Sequence, residues 1–189
     1  MPKQYTRKMI REEFIQMLNE MPLDKITVKD LVIRCDLNRN TFYYYYPDLY
    51  AIVAEIFETE LSNIYDSYND SHSWEESFLL ATGFVMNNKK AVYHVYKSIR
   101  HEEVERYVND ASGAIMTRYV INANKSIRAC DYDVKLIASF YQNALSGMIL
   151  GWIDTGMKQN PHEVIPRIGQ LFNGNIALSL TRSVENKNS

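Results

Sequence analysis

ITVKDLVIRCDLNRNTFYYYYPDLYAIVAEI, residues 26–56, reads as two short helices meeting at a tight turn, followed by the start of a longer helix. Thr27 is placed to cap the first helix, which runs through Cys35, and Asp30 supports its first turn. Asp36 and Leu37 make the turn. Asn38 caps a second helix, Arg39 to Tyr46, that Pro47 interrupts. Val28, Leu31, Val32, Leu37 and Phe42 are the inward positions. Helical spacing gathers Arg39, Asn40, Tyr43 and Tyr44 on one face, while Phe42 and Tyr45 point elsewhere. Arginine can offer guanine a bidentate donor pair and asparagine a donor and acceptor to adenine, while Tyr and Thr41 hydroxyls can bind phosphates. One face can therefore enter a DNA groove while the other packs.

Outward from this stretch the pattern stays helical. Ile10, Phe14, Met17, Leu18 and Met21 give a first helix over Thr6 to Met21, ended by Pro22. Leu49, Ile52, Val53, Ile56, Phe57, Leu61, Ile64, Tyr65 and Tyr68 form one stripe of about six turns. A polar loop, Asn69 to Ser73, precedes a helix announced by a Ser73–Glu76 capping box. Further helices are expected near Lys89 to Ser98 and Glu102 to Lys125, then over Asp133 to Thr155 with Gly156 at its end. A last helix is expected to start near Glu163, because Pro166 suits a first turn. The expected class is all-α: a three-helix head, residues 1–47, and a larger helical body, residues 48–189.

Composition excludes little but points the same way. Of 189 residues 46% are apolar and 23% charged, with seven Gly and five Pro, so neither disorder nor a fibrous repeat is indicated. Net charge is −2, yet residues 1–46 hold eight Lys/Arg against six acids, a surplus of two that leaves about −4 on the remainder. Such a balance argues against a general nucleic-acid coat and allows a local basic face. Cys35 and Cys130 are far apart and read as buried thiols of a reducing compartment. Apolar runs are read as shorter than the roughly 18 residues of a spanning helix, and Met1 to Asn19 lacks a signal-peptide profile, so a cytoplasmic protein off the membrane is expected.

The stretch from Arg11 to Phe57 resembles the TetR family of bacterial regulators, whose pattern reads roughly Ile-Thr-Val-x-Asp-Ile-Ala, a glycine turn, then Thr-Phe-Tyr-x-x-Phe. The resemblance implies a DNA-binding head on a helical body that dimerises through its last two helices and binds a small effector. It assigns Thr27 and Lys29 to the DNA backbone, Arg39 and Asn40 to bases, and Thr41, Tyr43 and Tyr44 to phosphates. Three positions depart from the pattern. Asp36 replaces the turn glycine but tolerates a left-handed conformation, Tyr46 replaces Phe, and Leu49 replaces a phosphate-binding lysine at the start of the fourth helix. Helix amides there could still meet a phosphate. The segment FYQNALSGMILGWIDTGMKQNP, Phe140 to Pro161, is similar to a TetR subgroup that includes regulators of dihydroxyacetone utilisation.

In the body, Trp74, Phe78, Phe84, Tyr93, Tyr96, Tyr119 and Tyr141 are either core or the lining of an effector pocket, pockets being mostly apolar. Ser146, Gly147 and Gly151 leave a shallow strip beside Met148 and Trp152, with Ile168, Leu171 and Phe172 on the following helix. That strip serves either packing within one chain or a four-helix dimer interface, and the family resemblance favours the interface. His94 and His101 are seven apart, too wide for two ligands to one ion, so no metal or cofactor is expected. No nucleophile elbow, P-loop or dinucleotide turn is present, and an enzyme is not expected. The expected function is a homodimeric repressor that leaves its DNA operator on binding a small-molecule effector. The alternative is a co-regulator acting mainly through a protein partner.

Overall fold

The computed structural model describes residues 3–67, 73–98, 100–172 and 174–185, whose regular structure is helical throughout. Helix α1 is Lys3–Glu20, and a 3-10 turn, Leu23–Lys25, leads to α2 (Val28–Arg34) and α3 (Arg39–Tyr45). There follow α4 (Leu49–Ser67), α5 (Trp74–Asn87), α6 (Lys89–Tyr96), α7 (His101–Ile127), α8 (Asp131–Asp154), α9 (Pro161–Leu171) and α10 (Asn175–Glu185). The all-α class and the short helices of the head are as the sequence leads one to expect. Tyr68 and the 69–72 part of the expected loop lie outside the described residues.

The chain divides into two compact units: Met1–Leu61 with Phe84–Tyr107, and Ser62–Gly83 with Val108–Ser189. The first is built on Ile10, Phe14, Met17 and Leu18 of α1, which bury against Leu31, Phe42, Ile52 and Val53, all nearly sealed from solvent. Helix α6 belongs to this unit through an exchange of caps. Its Asn88 makes no side-chain cap, and Asn19 of α1 instead accepts from Ala91 N at 3.2 Å and donates to Asn88 Oδ1 at 3.2 Å. An otherwise orphaned N–H in the first turn is thereby satisfied. His94 Nδ1 donates to Leu18 O at 2.7 Å, which gives that histidine a structural partner.

The second unit packs Phe78, Ile115, Met116, Val120, Leu145, Ile165, Ile176 and Leu180 into one core. The capping box at its start is formed, with Ser73 N donating to Glu76 Oε2 at 2.8 Å and Glu76 N to Ser73 Oγ at 3.1 Å. Four expectations need correction. Cys130 is only half-buried, because it sits at the N-cap of α8 and its Sγ donates to Asp133 Oδ2 at 3.2 Å. Helix α9 starts at Pro161, since Asn160 accepts from His162 N and proline at the first position lacks only a donor that needs no helical partner. Pro166 then lies inside it. A further helix, α10, follows Gly174 at φ +76° and seats Ile176 and Leu180 in the core. Residues 136–153 carry no charged side chain, so α8 is long and apolar enough by composition to span a bilayer, although only 22% of that window is buried.

Candidate nucleic-acid interface

The head is held by short-range polar chemistry. Thr27 accepts from Asp30 N at 3.2 Å and donates to Asp30 Oδ2 at 2.5 Å. Asp36 adopts φ +50°, the left-handed conformation that lets α2 reverse into α3. Asn38 Oδ1 accepts from Thr41 N at 2.8 Å and from Thr41 Oγ1 at 3.1 Å. Arg34 donates Nη1 and Nη2 to Glu20 at 2.6 and 2.8 Å, which ties α2 to the end of α1. That hydrogen bond holds the Glu20 carboxyl below its ordinary range.

On α3, Arg39 and Asn40 are exposed, Tyr43 and Tyr44 are 55% and 67% exposed, and Phe42 on the opposite side is fully buried. Phe42 meets Tyr43 edge-on at 5.3 Å, and Tyr44 meets Tyr45 likewise at 5.0 Å. Each exposed ring thus has an edge-on aromatic neighbour. Lys29 is exposed on α2. Thr27 and Thr41 donate their hydroxyl protons inside their own caps, so either must release that hydrogen bond before it can donate to a phosphate. At the start of α4, Asp48 Oδ1 accepts from Ala51 N at 2.9 Å. Sequence reading missed this cap: a carboxylate occupies the helix amide that Leu49 leaves without a lysine beside it.

The pocket candidates do not gather at one place. Trp74 and Phe78 line a cavity of about 80 Å³ in the second unit, with Leu145, Ile149, Trp152 and Ile165 among its walls. Trp74 and Tyr141 line an open groove of about 430 Å³ between α8 and α10. Tyr119 packs against the same core, and burial, with Glu75 adding, raises its pKa. Phe84, Tyr93 and Tyr96 belong to the first unit: Phe84 meets Phe57 edge-on at 6.4 Å, and the two tyrosines hold the Lys97 ammonium at 5.6 and 5.5 Å.

The strip on α8 is open. Gly147 and Gly151 are exposed, and a Cβ added to either would meet nothing within 4 Å. Met148, Leu171 and Phe172 are exposed beside them. Ile168 is half-buried, as is Trp152, whose indole N–H donates to Gln159 O at 2.8 Å. Tyr132, Leu136 and Phe140 continue the exposed line along α8, and Leu178 adds to it from α10. Their four-residue spacing was the available signal.

A family model described as "Transcriptional regulator C-terminal region", of the TetR type, matches residues 72–174, more than half of the chain. The HTH-type dhaKLM operon transcriptional activator DhaS of Lactococcus lactis subsp. lactis (strain IL1403) is 22% identical over 99 residues, 51% of this chain. The matched stretch spans about half, 53%, of that relative's length. A solved structure, "Dihydroxyacetone kinase operon activator DhaS", superposes with a TM-score of 0.77 at 17% identity, over 92% of this chain and 97% of the other. That likeness bears on the fold.

Proposed function

This chain belongs to the TetR family of transcriptional regulators, and from that premise we propose that it is a homodimer whose residues 1–47 read a DNA operator. The observation that carries the reading is the exposed face of α3, with Arg39 and Asn40 toward bases and Tyr43 and Tyr44 toward phosphates, on a helix capped at Asn38 and backed by Phe42. Thr27, Lys29 and Thr41 supply backbone contacts. The dimer is proposed to form through α8 and α9, at Gly147, Met148, Gly151, Leu171 and Phe172. Support comes from the sidedness of α8, whose Val134, Ala138, Leu145 and Ile153 are buried while the opposite line is bare. A second copy of the chain meeting that line would cover the apolar run, the arrangement proposed for a cytoplasmic protein.

An operator-bound dimer with no other contact acts by occlusion, so the first reading is a repressor that a small effector releases. The apolar cavity beside Trp74 and Phe78 is the proposed effector site. A second reading is an activator that works through a protein partner. Two observations favour it: the named relatives are operon activators, and Thr82 and Gln159 are the polar uncharged side chains of a cavity whose other walls are apolar, a poor match for a small polyol. Selection from a random duplex library, followed by transcription from a template carrying the enriched site, tests both. Occlusion lowers transcript on addition of the pure dimer. An increase, or an effect that appears only with a partner protein, favours the second reading, and failure to enrich any duplex sinks both.

A further inference from the structure

Behind the reading face, the C-terminal end of α3 is set into a polar cluster. Tyr46 caps that helix with extended backbone, φ −138° and ψ 132°, and is 2% exposed. The Arg7 guanidinium of α1 lies over its ring at 5.4 Å, and Arg7 Nη2 stands 2.9 Å from Glu55 Oε2 of α4. Arg11 Nη1 approaches Glu55 Oε1 at 3.3 Å and donates to Thr59 Oγ1 at 2.9 Å, while Thr59 donates to Glu55 O at 2.7 Å. One carboxylate of α4 is thus held by two arginines of α1, and the recognition helix ends against them.

The Tyr46 hydroxyl and Glu55 Oε2 are both sealed from solvent without a well-aligned hydrogen bond, yet Arg7 and Glu55 both interact with the hydroxyl, and Arg7 pairs with Glu55 Oε2. Burial pushes the phenol up to about 12, with Arg7 opposing and Glu55 adding, so it remains a donor at any physiological pH. A phenylalanine would fill the same space without burying a hydroxyl at a cost. The hydroxyl must therefore act on what it faces. It can donate to Glu55, whose charge Arg7 already balances, and so link α3 to α1 and α4 through one shared group.

We infer that Tyr46, through its hydroxyl and the Arg7–Glu55 pair, is a positioning residue for DNA recognition that fixes the tilt of α3 on the α1–α4 frame. The inference rests on the DNA reading above. Its mechanism is specific: α3 spans only Arg39–Tyr45, and a seven-residue helix fixed at its start by the Asn38 cap and in its middle by Phe42 can still rock at its C-terminal end. Rocking tilts Arg39 and Asn40 relative to base edges, while phosphate contacts from longer, mobile side chains adapt. Loss of the hydroxyl should then blunt selectivity more than general affinity.

The test uses the full chain as wild type, Tyr46→Phe, Glu55→Gln and the double variant. Each is titrated against a library-selected duplex and a scrambled duplex, with amide exchange of residues 39–45 read in the absence of DNA. Tyr46→Phe is expected to lose about fivefold on the selected duplex, the scale of one buried hydrogen bond, and much less on the scrambled one. Exchange in α3 should quicken by a similar factor, and the double variant should be no worse than the worse single one. A merely structural hydroxyl would change melting temperature and leave the selected-to-scrambled ratio and α3 exchange alone; that result overturns the inference. Failure of wild type to enrich a duplex would instead overturn the DNA reading, and unchanged α3 exchange would still count separately against positioning.

Discussion

At Leu49 the chain places an apolar side chain where its family favours lysine, and Asp48 beside it caps α4 by accepting from Ala51 N. A phosphate approaching the helix end would meet a carboxylate before it met free amides, so the helix-terminus contact available in principle is compromised here. Leu49→Lys should steepen the salt dependence of operator binding by about one counterion unit, and Asp48→Asn should tighten binding at low salt by removing the repulsion. Titrations at several salt concentrations measure both, and an unchanged slope in Leu49→Lys would put the α4 terminus away from DNA. On α3 the two kinds of contact separate. Arg39→Ala should relax sequence preference, with a loss of about 1–3 kcal/mol on the selected duplex, whereas Tyr43→Phe should weaken all duplexes about equally. Competition between selected and scrambled DNA distinguishes them; an Arg39→Ala protein with full discrimination would mean that the reading face is misassigned. The face itself was legible in the sequence because it depends on spacing within seven residues. The Tyr46, Arg7 and Glu55 cluster was not, since nothing local in residue 7 or 55 reports that the fold will bring them to residue 46.

Elements were readable where their ends carry their own chemistry. Thr27, Asn38 and Ser73 each bond an amide three residues ahead, and these signals lie within a single turn of chain. Asn38 shows what such a cap contributes. It accepts from both the amide and the hydroxyl of Thr41, on a helix too short to hold itself by propagation. Asn38→Ala should therefore lower unfolding stability by about 1 kcal/mol, with urea titration as the measurement. A loss well below 0.5 kcal/mol would mean that packing of Phe42 alone holds α3. Where competing local signals met, the sequence reading failed. Pro166 points to a start near Glu163, but the Asn160 cap sets the beginning of α9 at Pro161. Helix α10 is not evident from sequence because its inward positions Ile176, Leu180 and Val184 are mixed with the outward Leu178, and they acquire meaning only against the core they complete.

At the scale of the molecule, the chain leaves a long apolar line bare. Phe140 is 68% exposed and Tyr132 74%, with Leu136, Met148, Leu171, Phe172 and Leu178 all accessible around two open glycines. Large contiguous apolar surface marks an interaction site, and a two-fold interface requires the patch to meet itself. The sequence hinted at the glycine strip but not at its reach, because exposure follows from which side the core takes, and α10 was missing from that account. We therefore expect a dimer whose recognition helices lie about 34–36 Å apart or a multiple of it, as successive major-groove faces require. Gly151 offers the sharpest test. Within one chain a side chain there meets nothing within 4 Å, and replacing a mid-helix glycine with leucine should stabilise the monomer's helix by somewhat under 1 kcal/mol. Across a close two-fold contact the same leucine would collide with its partner. Gly151→Leu should thus give a chain that is folded by circular dichroism yet shifted toward monomer in light scattering. Its operator affinity should fall, because one head engages only one half-site. A folded variant that remains fully dimeric would place the interface elsewhere on the bare line, with Leu136 and Phe140 as the next positions to change.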